Sequence, residues 1–434
     1  MKRLQKRFLD FFFSLVAVVV LSPLLIGLAL MVWIRIGRPI LFRQQRPGLH
    51  GKPFNMLKFR TMRDAIGPDG QPLPDSERLL PFGKFLRSTS LDELPGVFNI
   101  LKGDMSFVGP RPLLMRYLPF YSYDERFRFE ARPGITGLAQ IRGRNNLAWA
   151  DRIDSDLEYV RNYSLSLDIW ICWQSFKKVV TRSDIVIDPS CSMQDLDVER
   201  SDFLKVVDLS GDDLVLAGEI IKAGLDADYY LGTVVSATNF PDFFAEISSA
   251  GSRVLGLYRG ADLSGVAQVV ETGECIHLNY FVLVESERGW GASSYFLRSI
   301  NKVFAGQDIA LHVDSRNLVA TKFYAHFGFK EMERLKYFMM ESSGGMDLSS
   351  LAVEKPEQYS RFGISHFRVE GELVGLIDDR YISINERNSV SVVDVCFGIR
   401  SGMCIRIPSQ LAGHRSEPVR DSFDVLLMKL TAHE

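Results

Sequence analysis

The feature that most limits what this chain can fold into is the uncharged apolar run from Phe11 to Ile34. A helix of about 24 residues exceeds the roughly 20 needed to cross the hydrocarbon of a bilayer. A cleaved secretory signal fits poorly, because the run is too long and no small-residue cleavage site follows it. A single spanning helix and a helix that enters and leaves on one face both fit the length, and two features favour the second. Lys2, Arg3, Lys6 and Arg7 precede the run, and Arg35, Arg38, Arg43 and Arg46 follow it. The bias of cationic flanks toward the cytoplasm therefore pulls both ends to one side. Mid-run stands Ser22-Pro23. Proline removes a helical hydrogen bond and bends the helix, and a serine hydroxyl can satisfy the carbonyl set free. The expected arrangement is a re-entrant helix over about residues 8–35.

The chain has 434 residues, too many for one ordinary core, so two or three domains are expected. With 24% charged and 46% hydrophobic residues the composition is globular, and a net charge of −2 gives no reason to expect nucleic acid. Lysine and arginine crowd the stretch before Asn145, so that part is expected to meet phosphates or anionic lipid. Cys172, Cys191, Cys275, Cys396 and Cys404 lie far apart without zinc-ligand spacing, which points to reduced thiols in a cytoplasmic setting.

After the apolar run, Pro39 to Met62 alternates apolar and basic residues around Gly/Pro turns and reads as short strands or loops at a membrane surface. Ser90-Leu91-Asp92-Glu93 fits a helix-capping box, with Leu94, Val97, Phe98 and Leu101 on the apolar face that follows. Alone, the two carboxylates could simply complement the helix dipole. They stand, however, among Lys58, Arg60, Arg87, Arg111, Arg132, Arg142 and Arg144, which recur beside Gly and Pro in segments too short to be solvated helical faces. A carboxylate among phosphate-binding cations is well placed to attack phosphorus, since the cations offset the repulsion between nucleophile and diphosphate.

These residues resemble the monotopic phosphoglycosyl transferase superfamily, over roughly residues 1–188. The ordered motifs are Ser22-Pro23, Lys58-Phe59-Arg60-Thr61-Met62, Asp92-Glu93, Gly109-Pro110-Arg111-Pro112 and Arg132-Pro133-Gly134-Ile135-Thr136-Gly137. The resemblance implies that Asp92 attacks the β-phosphorus of a UDP-sugar and expels UMP. Polyprenyl phosphate then takes the phosphosugar from the aspartyl intermediate. It also implies Mg²⁺ with Asp92 as a ligand, Glu93 positioning the metal or accepting a proton, and Arg111 on a phosphate. The stretch from Trp149 to Phe176 carries Tyr159, Tyr163, Trp170 and Trp173, which suit a membrane interface and an ordinary core equally.

An acidic polar stretch, 189–199, reads as a linker. Beyond it, Arg253–Tyr258 and Gly265–Glu271 read as a hairpin, and Ile276–Val284 as a strand entering Glu287-Arg288-Gly289-Trp290-Gly291-Ala292-Ser293. A helix starts there, with Phe296, Leu297, Ile300 and Val303 on its buried face. Strand, glycine turn and helix start make a phosphate site when the backbone N–H groups point outward, although a routine tight turn has the same pattern. Ile309–Val313 reads as another strand, before Asn317, Ala320, Tyr324 and Gly328-Phe329. In this order the segments resemble the GCN5-related N-acetyltransferase (GNAT) superfamily, over about 200–345. The resemblance implies acetyl-CoA as co-substrate, held by Arg288, Gly289, Gly291, Ser293 and Asn317. Ser293 stands where that family usually has Gly or Ala. Tyr324 would protonate the leaving thiolate; Glu285, Glu287 and His277 are unranked candidates for a general base.

Residues 346–434 alternate apolar and polar positions over Phe367–Ile377, Tyr381–Ile384, Val390–Phe397 and Met403–Ile407. They read as a β-rich unit that completes the preceding sheet, binds sugar or makes a dimer contact. The expected fold class is therefore α/β multidomain: a membrane-embedded α+β transferase, a GNAT-like α/β domain and a small β-rich tail. The expected partners are a UDP-sugar, polyprenyl phosphate and the bilayer, with a homodimer left open. The expected location is the cytoplasmic face of a bacterial inner membrane. Two fused activities suggest one amino sugar as their common substrate; a membrane-anchored protein acetyltransferase and a non-catalytic scaffold are the alternatives.

Overall fold

The computed structural model describes residues 2–66, 73–143, 147–181, 194–225, 235, 239–248, 252–271, 275–341, 351–353, 365–369, 372–377, 381–384, 404–408 and 419–431. Arg144, Val390–Phe397 and residues 189–193 of the expected linker lie outside the described residues. The chain divides into two compact units, Met1–Ser201 with Gly289–Gly291, and Asp202–Arg288 with Ala292–Glu434.

The first unit opens with helix α1, Lys2–Arg35, which runs unbroken through Pro23. The Ser22 hydroxyl donates to the Val19 carbonyl at 2.7 Å. Val19 lies four residues before Pro23, so this is the carbonyl that the missing proline N–H leaves free. Both ends of α1 are held by the same unit. Near the start, Arg7 donates to the Ile100 and Leu101 carbonyls, Lys6 pairs with Asp168 at 2.5 Å, and Ser106 donates to the buried Asp10 carboxylate. Toward the end, Leu25, Leu28 and Val32 form a core with Phe59 and Leu86. Between them Leu15, Val16, Val19, Val20 and Leu24 are exposed.

An antiparallel hairpin follows, β1 (Leu41–Pro47) with β2 (Pro53–Phe59), in the register Phe42↔Lys58 and Arg46↔Phe54. Helix α2, Pro81–Ser88, leads to a short 3-10 turn at Leu91–Glu93 and then to helix α3, Gly96–Lys102. Strand β3 (Ser106–Val108) pairs in parallel with β4 (Gly134–Thr136). This pairing explains the glycines of the two motifs, because a Cβ on Gly109 would stand 2.2 Å from the Arg132 carbonyl oxygen, and one on Gly134 2.2 Å from the Gly109 nitrogen. Helices α4 (Trp149–Arg161) and α5 (Leu165–Thr181) close the unit. Tyr159 is buried, whereas Leu165, Ile169, Trp170, Trp173 and Phe176 leave an apolar stripe exposed along α5.

The second unit is built on one mixed sheet. Strands β5 (Leu204–Asp208), β6 (Arg253–Arg259), β7 (Asp262–Glu271) and β8 (Ile276–Leu283) make an antiparallel meander. Parallel to β8 runs β9 (Ile309–Asp314). Helices α6 (Asp213–Gly224) and α7 (Phe240–Ser248) cover this sheet with Leu214, Ala217, Ile221, Phe240 and Phe244. Helix α8 (Ala292–Val303) buries Phe296, Leu297 and Ile300, but Val303, in its last turn, is exposed rather than on the buried face. Helix α9 is Leu318–His326.

Strand β10 (Lys330–Glu341) does not pair with β9. Strand β16 (Val419–Leu430) lies between them, antiparallel to both. Strands β11 (Leu351–Val353), β12 (Ser365–Val369), β13 (Glu372–Ile377), β14 (Tyr381–Ile384) and β15 (Cys404–Pro408) extend the sheet beyond β10. The tail thus completes the sheet, one of the roles open to it from sequence.

Candidate active site

The loop between α2 and α3 carries the carboxylate pair. No capping box forms: Ser90 takes a left-handed backbone conformation, φ 57°, and its side chain caps nothing. Glu93 instead accepts hydrogen bonds on Oε1 from Lys58 Nζ at 2.8 Å and from Arg111 at 2.9 Å. Two charge-assisted bonds in a half-buried site outweigh one bond to a helix-end N–H. The loss of the box also shifts the start of the helix to Gly96, so Val97 and Ile100 face inward and Phe98 turns out.

The two cations on Glu93, and Arg87 near the pair, are each held by the framework. Lys58 is held by β2, which Asn99 ties to α3: its Oδ1 accepts from Leu57 N at 2.9 Å and its Nδ2 donates to Asn55 O at 2.8 Å. Arg111 is held by Arg128, which donates to the Arg111 carbonyl at 3.0 Å and is itself paired with Asp156 at 2.6 Å in a buried ion pair. Arg87 donates to the Thr61 hydroxyl at 3.1 Å.

Asp92 behaves differently from its neighbour. It is 8% exposed and forms no hydrogen bond or ion pair among the described residues. Burial, and then the negative charge of Glu93, push its carboxyl up to about 6, against the pull of Lys58, Arg87 and Arg111. For Glu93, burial raises the pKa, but Arg111 and Lys58 outweigh it and hold the group down to about 2. One carboxylate is therefore pinned and permanently ionised. The other is unpinned, poorly solvated and still mostly ionised at neutral pH, the condition of a usable nucleophile.

The remaining cations are engaged elsewhere. Arg60 is buried, donates to Met62 O at 2.8 Å and to the Arg38 carbonyl, and pairs with Asp64. Arg132 Nε donates to Gly103 O at 2.9 Å, and Arg142 makes two bonds to Glu158. Among the described residues, no three His, Cys, Asp or Glu side chains converge. Mg²⁺ does not require that, since it binds through one or two carboxylates, waters and substrate phosphates. The unpartnered Asp92 fits as such a ligand.

In the second unit, β8 and β9 pair only at Ile276↔Ile309 and His277↔Ala310. Strand β8 continues to Leu283 paired with β7 alone, so the two parallel strands splay toward their C-terminal ends. After β8 the chain passes through Gly289 and Gly291, both at positive φ and both grouped with the first unit. Arg288 donates to the Leu283 and Gly224 carbonyls. Asn317 caps α9, its Oδ1 accepting from Ala320 N at 3.1 Å. Tyr324 is buried, with its ring against Phe281, Phe323 and Phe329. Among the three base candidates, Glu287 is fully buried in a two-bond pair with Arg259 and His277 shares a 2.9 Å hydrogen bond with His312. Glu285 is exposed.

The family model described as bacterial sugar transferase matches residues 1–182. The uncharacterized sugar transferase EpsL of Bacillus subtilis is 45% identical over 180 residues, 42% of this chain and 89% of that one. The chain belongs to the bacterial sugar transferase family. A second member, the UDP-glucose:undecaprenyl-phosphate glucose-1-phosphate transferase of Caulobacter vibrioides, is 39% identical over 188 residues, 41% of this chain and 70% of that one. A solved GCN5-related N-acetyltransferase from Sphaerobacter thermophilus is similar over 53% of this chain and 96% of its own, at 10% identity and a TM-score of 0.35. The reading of the second unit rests on its own strand register instead. In the sugar transferase unit, Leu4–Arg35 is one helix long and apolar enough to cross a membrane, and its uncovered middle marks the unit as membrane-associated.

The sequence reading missed three residues of the sugar transferase unit. Asp10, just ahead of the apolar run, is buried against Ser106 and the Phe107 N–H. Asn99 is buried between α3 and β2, and a polar residue between Val97 and Ile100 is its readable sign in the sequence. Arg46, one of the cationic flanks, has its Nε buried without a hydrogen-bond partner among the described residues and a terminal nitrogen on Gln44.

Proposed function

We propose that the first unit transfers a sugar phosphate from a UDP-sugar to a polyprenyl phosphate. The observation that carries this reading is the division of labour between Asp92 and Glu93. Asp92 Oδ attacks the β-phosphorus, the bond from that phosphorus to the bridging oxygen breaks, and UMP leaves with the electron pair. A phosphate oxygen of the polyprenyl phosphate then attacks the aspartyl phosphate, and Asp92 departs as a carboxylate. Lys58 and Arg111, aligned by Glu93, offset the charge of the diphosphate, and the positive charge of Arg87 also favours the ionised form of Asp92. Mg²⁺, held by Asp92 and substrate phosphates, would supply further charge neutralisation.

The acceptor keeps its prenyl tail in lipid, so the nucleophile has to work at the headgroup level. Two features support a re-entrant α1 and an active site on the cytoplasmic face: both ends of α1 dock on the same unit, and cations flank both ends. The exposed aromatic stripe of α5 suits the same interface.

For the second unit the proposal is acetylation of an amine from acetyl-CoA, with the pantetheine arm between β8 and β9. The amine nitrogen attacks the thioester carbonyl, the C–S bond breaks, Tyr324 protonates the departing thiolate, and the proton shed by the attacking nitrogen passes through solvent to restore the tyrosine. One substrate for both units would be a UDP-linked amino sugar, whose acetylated form starts a glycan on the lipid carrier.

UMP release from a panel of UDP-sugars, with Mg²⁺ and undecaprenyl phosphate, tests the first reading. Release from wild type and none from Asp92→Asn is expected, whereas equal release from both would overturn Asp92 as nucleophile. Acetyl-CoA consumption with UDP-amino-sugars tests the second. Acetylation of protein acceptors alone would replace the sugar with a protein substrate.

A further inference from the structure

Pro110-Arg111-Pro112 follows β3, and its two prolines remove backbone donors and steer Arg111 away from helical backbone. With no N–H at 110 or 112, the segment is held by what its carbonyls accept. The Pro110 carbonyl accepts from Gly134 N of β4 at 3.0 Å. The Arg111 carbonyl accepts from Arg128, which stands in the 3-10 turn Glu125–Glu130, at 3.0 Å. Held on both sides of its Cα, Arg111 reaches Glu93 Oε1 at 2.9 Å.

Arg128 is only 2% exposed. Its Nε and the same terminal nitrogen that serves Arg111 both donate to Asp156 Oδ2 on α4, at 3.1 and 2.6 Å. Its guanidinium carbon stands 5.2 Å from the ring centroid of Tyr121 and 5.0 Å from that of Phe129. A buried ion pair of this kind is commonly no more stabilising than two apolar side chains of similar volume, so stability gives no reason for an arginine here. What an apolar side chain cannot do is donate to the Arg111 carbonyl.

We infer that Arg128 and Asp156 are positioning residues for the Asp92-Glu93 pair. Asp156 fixes the plane of Arg128, Arg128 fixes the Arg111 carbonyl, and Arg111 pins Glu93 next to Asp92 in the chain. Neither residue touches substrate in this arrangement; both act through Arg111. This rests on the phosphosugar-transfer reading and extends it from the carboxylates to a buried support on α4. The charge of Arg111 also favours the ionised form of Asp92. An Arg111 that swings away therefore costs rate and makes the nucleophile harder to ionise.

The test measures UMP release by the full chain in detergent across pH, together with melting curves. Wild type is compared with Arg128→Lys and with the double variant Arg128→Met, Asp156→Leu. The double variant removes both buried charges at once, so it should melt at or above the wild-type temperature. Its kcat is expected to fall about ten- to a hundredfold, with the acid limb of UMP release moved to higher pH. Arg128→Lys keeps a charge opposite Asp156 but lacks the planar fork that serves two acceptors. It should show the same two changes, and it is read by the same criteria if the double variant does not fold. Wild-type kcat and acid limb in a folded variant would overturn the inference. So would a lower kcat with the limb in place, the sign of a general loosening rather than a displaced Arg111. A wild type that releases no UMP from any UDP-sugar would instead refute the transfer reading.

Discussion

Replacing Asp92 by asparagine is expected to stabilise the protein while abolishing phosphosugar transfer. In the unfolded chain the Asp92 carboxyl ionises near 3.8; in the folded one it ionises near 6, because burial and Glu93 oppose its charge. A group whose folded pKa is raised destabilises the fold wherever it must be ionised. Below the unfolded value both states are protonated and nothing is lost. Between the two values the folded state retains a proton that the unfolded state has released, so stability falls as pH rises, and above the folded value the full penalty applies. About 2 pKa units at roughly 1.4 kcal/mol each make this about 3 kcal/mol at neutral pH. Asparagine keeps the shape and removes the charge. For a unit of this size a kcal/mol moves the melting temperature by about 2–4 °C, so Asp92→Asn should melt about 6–12 °C higher. Melting in EDTA at about pH 7.5 and again at about pH 4 measures it, the chelator removing any bound cation that would shield the carboxylate. The gain should be largest at the higher pH and shrink toward zero at the lower. An unchanged or lower melting temperature at neutral pH, or a gain that persists in acid, would refute the argument that Asp92 is held ionised at a cost.

Glu93→Gln removes a negative neighbour and frees Lys58 and Arg111 to act on Asp92, so the acid limb of UMP release should move down by about one pH unit; a limb that stays or moves up contradicts the assigned causes. Asn99→Ala loses two buried hydrogen bonds between α3 and β2 and should cost about 1–3 kcal/mol in denaturant unfolding, with a lower kcat as Lys58 loosens. In the second unit, Glu287→Ala leaves the buried Arg259 unpaired and should cost about 3–5 kcal/mol, read from that unit's unfolding transition. Single cysteines placed at Lys2 and at Arg38 in a cysteine-free background should react with an impermeant maleimide from the same side of sealed vesicles; labelling from opposite sides would make α1 a spanning helix.

Much of the site could be read from sequence because its chemistry is local. Asp92 and Glu93 are adjacent, Ser22 and Pro23 are adjacent, and Lys58 and Arg111 each stand in a short motif. The apolar run is visible as composition alone. The hairpin β6–β7, strand β8 and strand β9 follow from alternation and turn residues that need no partner to be recognised.

What sequence could not decide depended on partners distant along the chain. Ser90-x-x-Glu93 had the pattern of a cap, but only folding brings Lys58 and Arg111 to Glu93, and their two charged bonds outcompete the helix end. Arg46 reads as one more cation beside a membrane segment, until β1 sets its guanidinium on Gln44 with its Nε buried. Strand β16 is the largest case: nothing in Val419–Leu430 says that it enters between β9 and β10. The sequence by itself determined which groups could do the chemistry and which segment could enter lipid, because those properties belong to residues and their near neighbours. The tertiary structure decided which carboxylate is pinned, which cations pin it and where the last strand pairs, because charge compensation and strand pairing are settled by whatever the fold brings close.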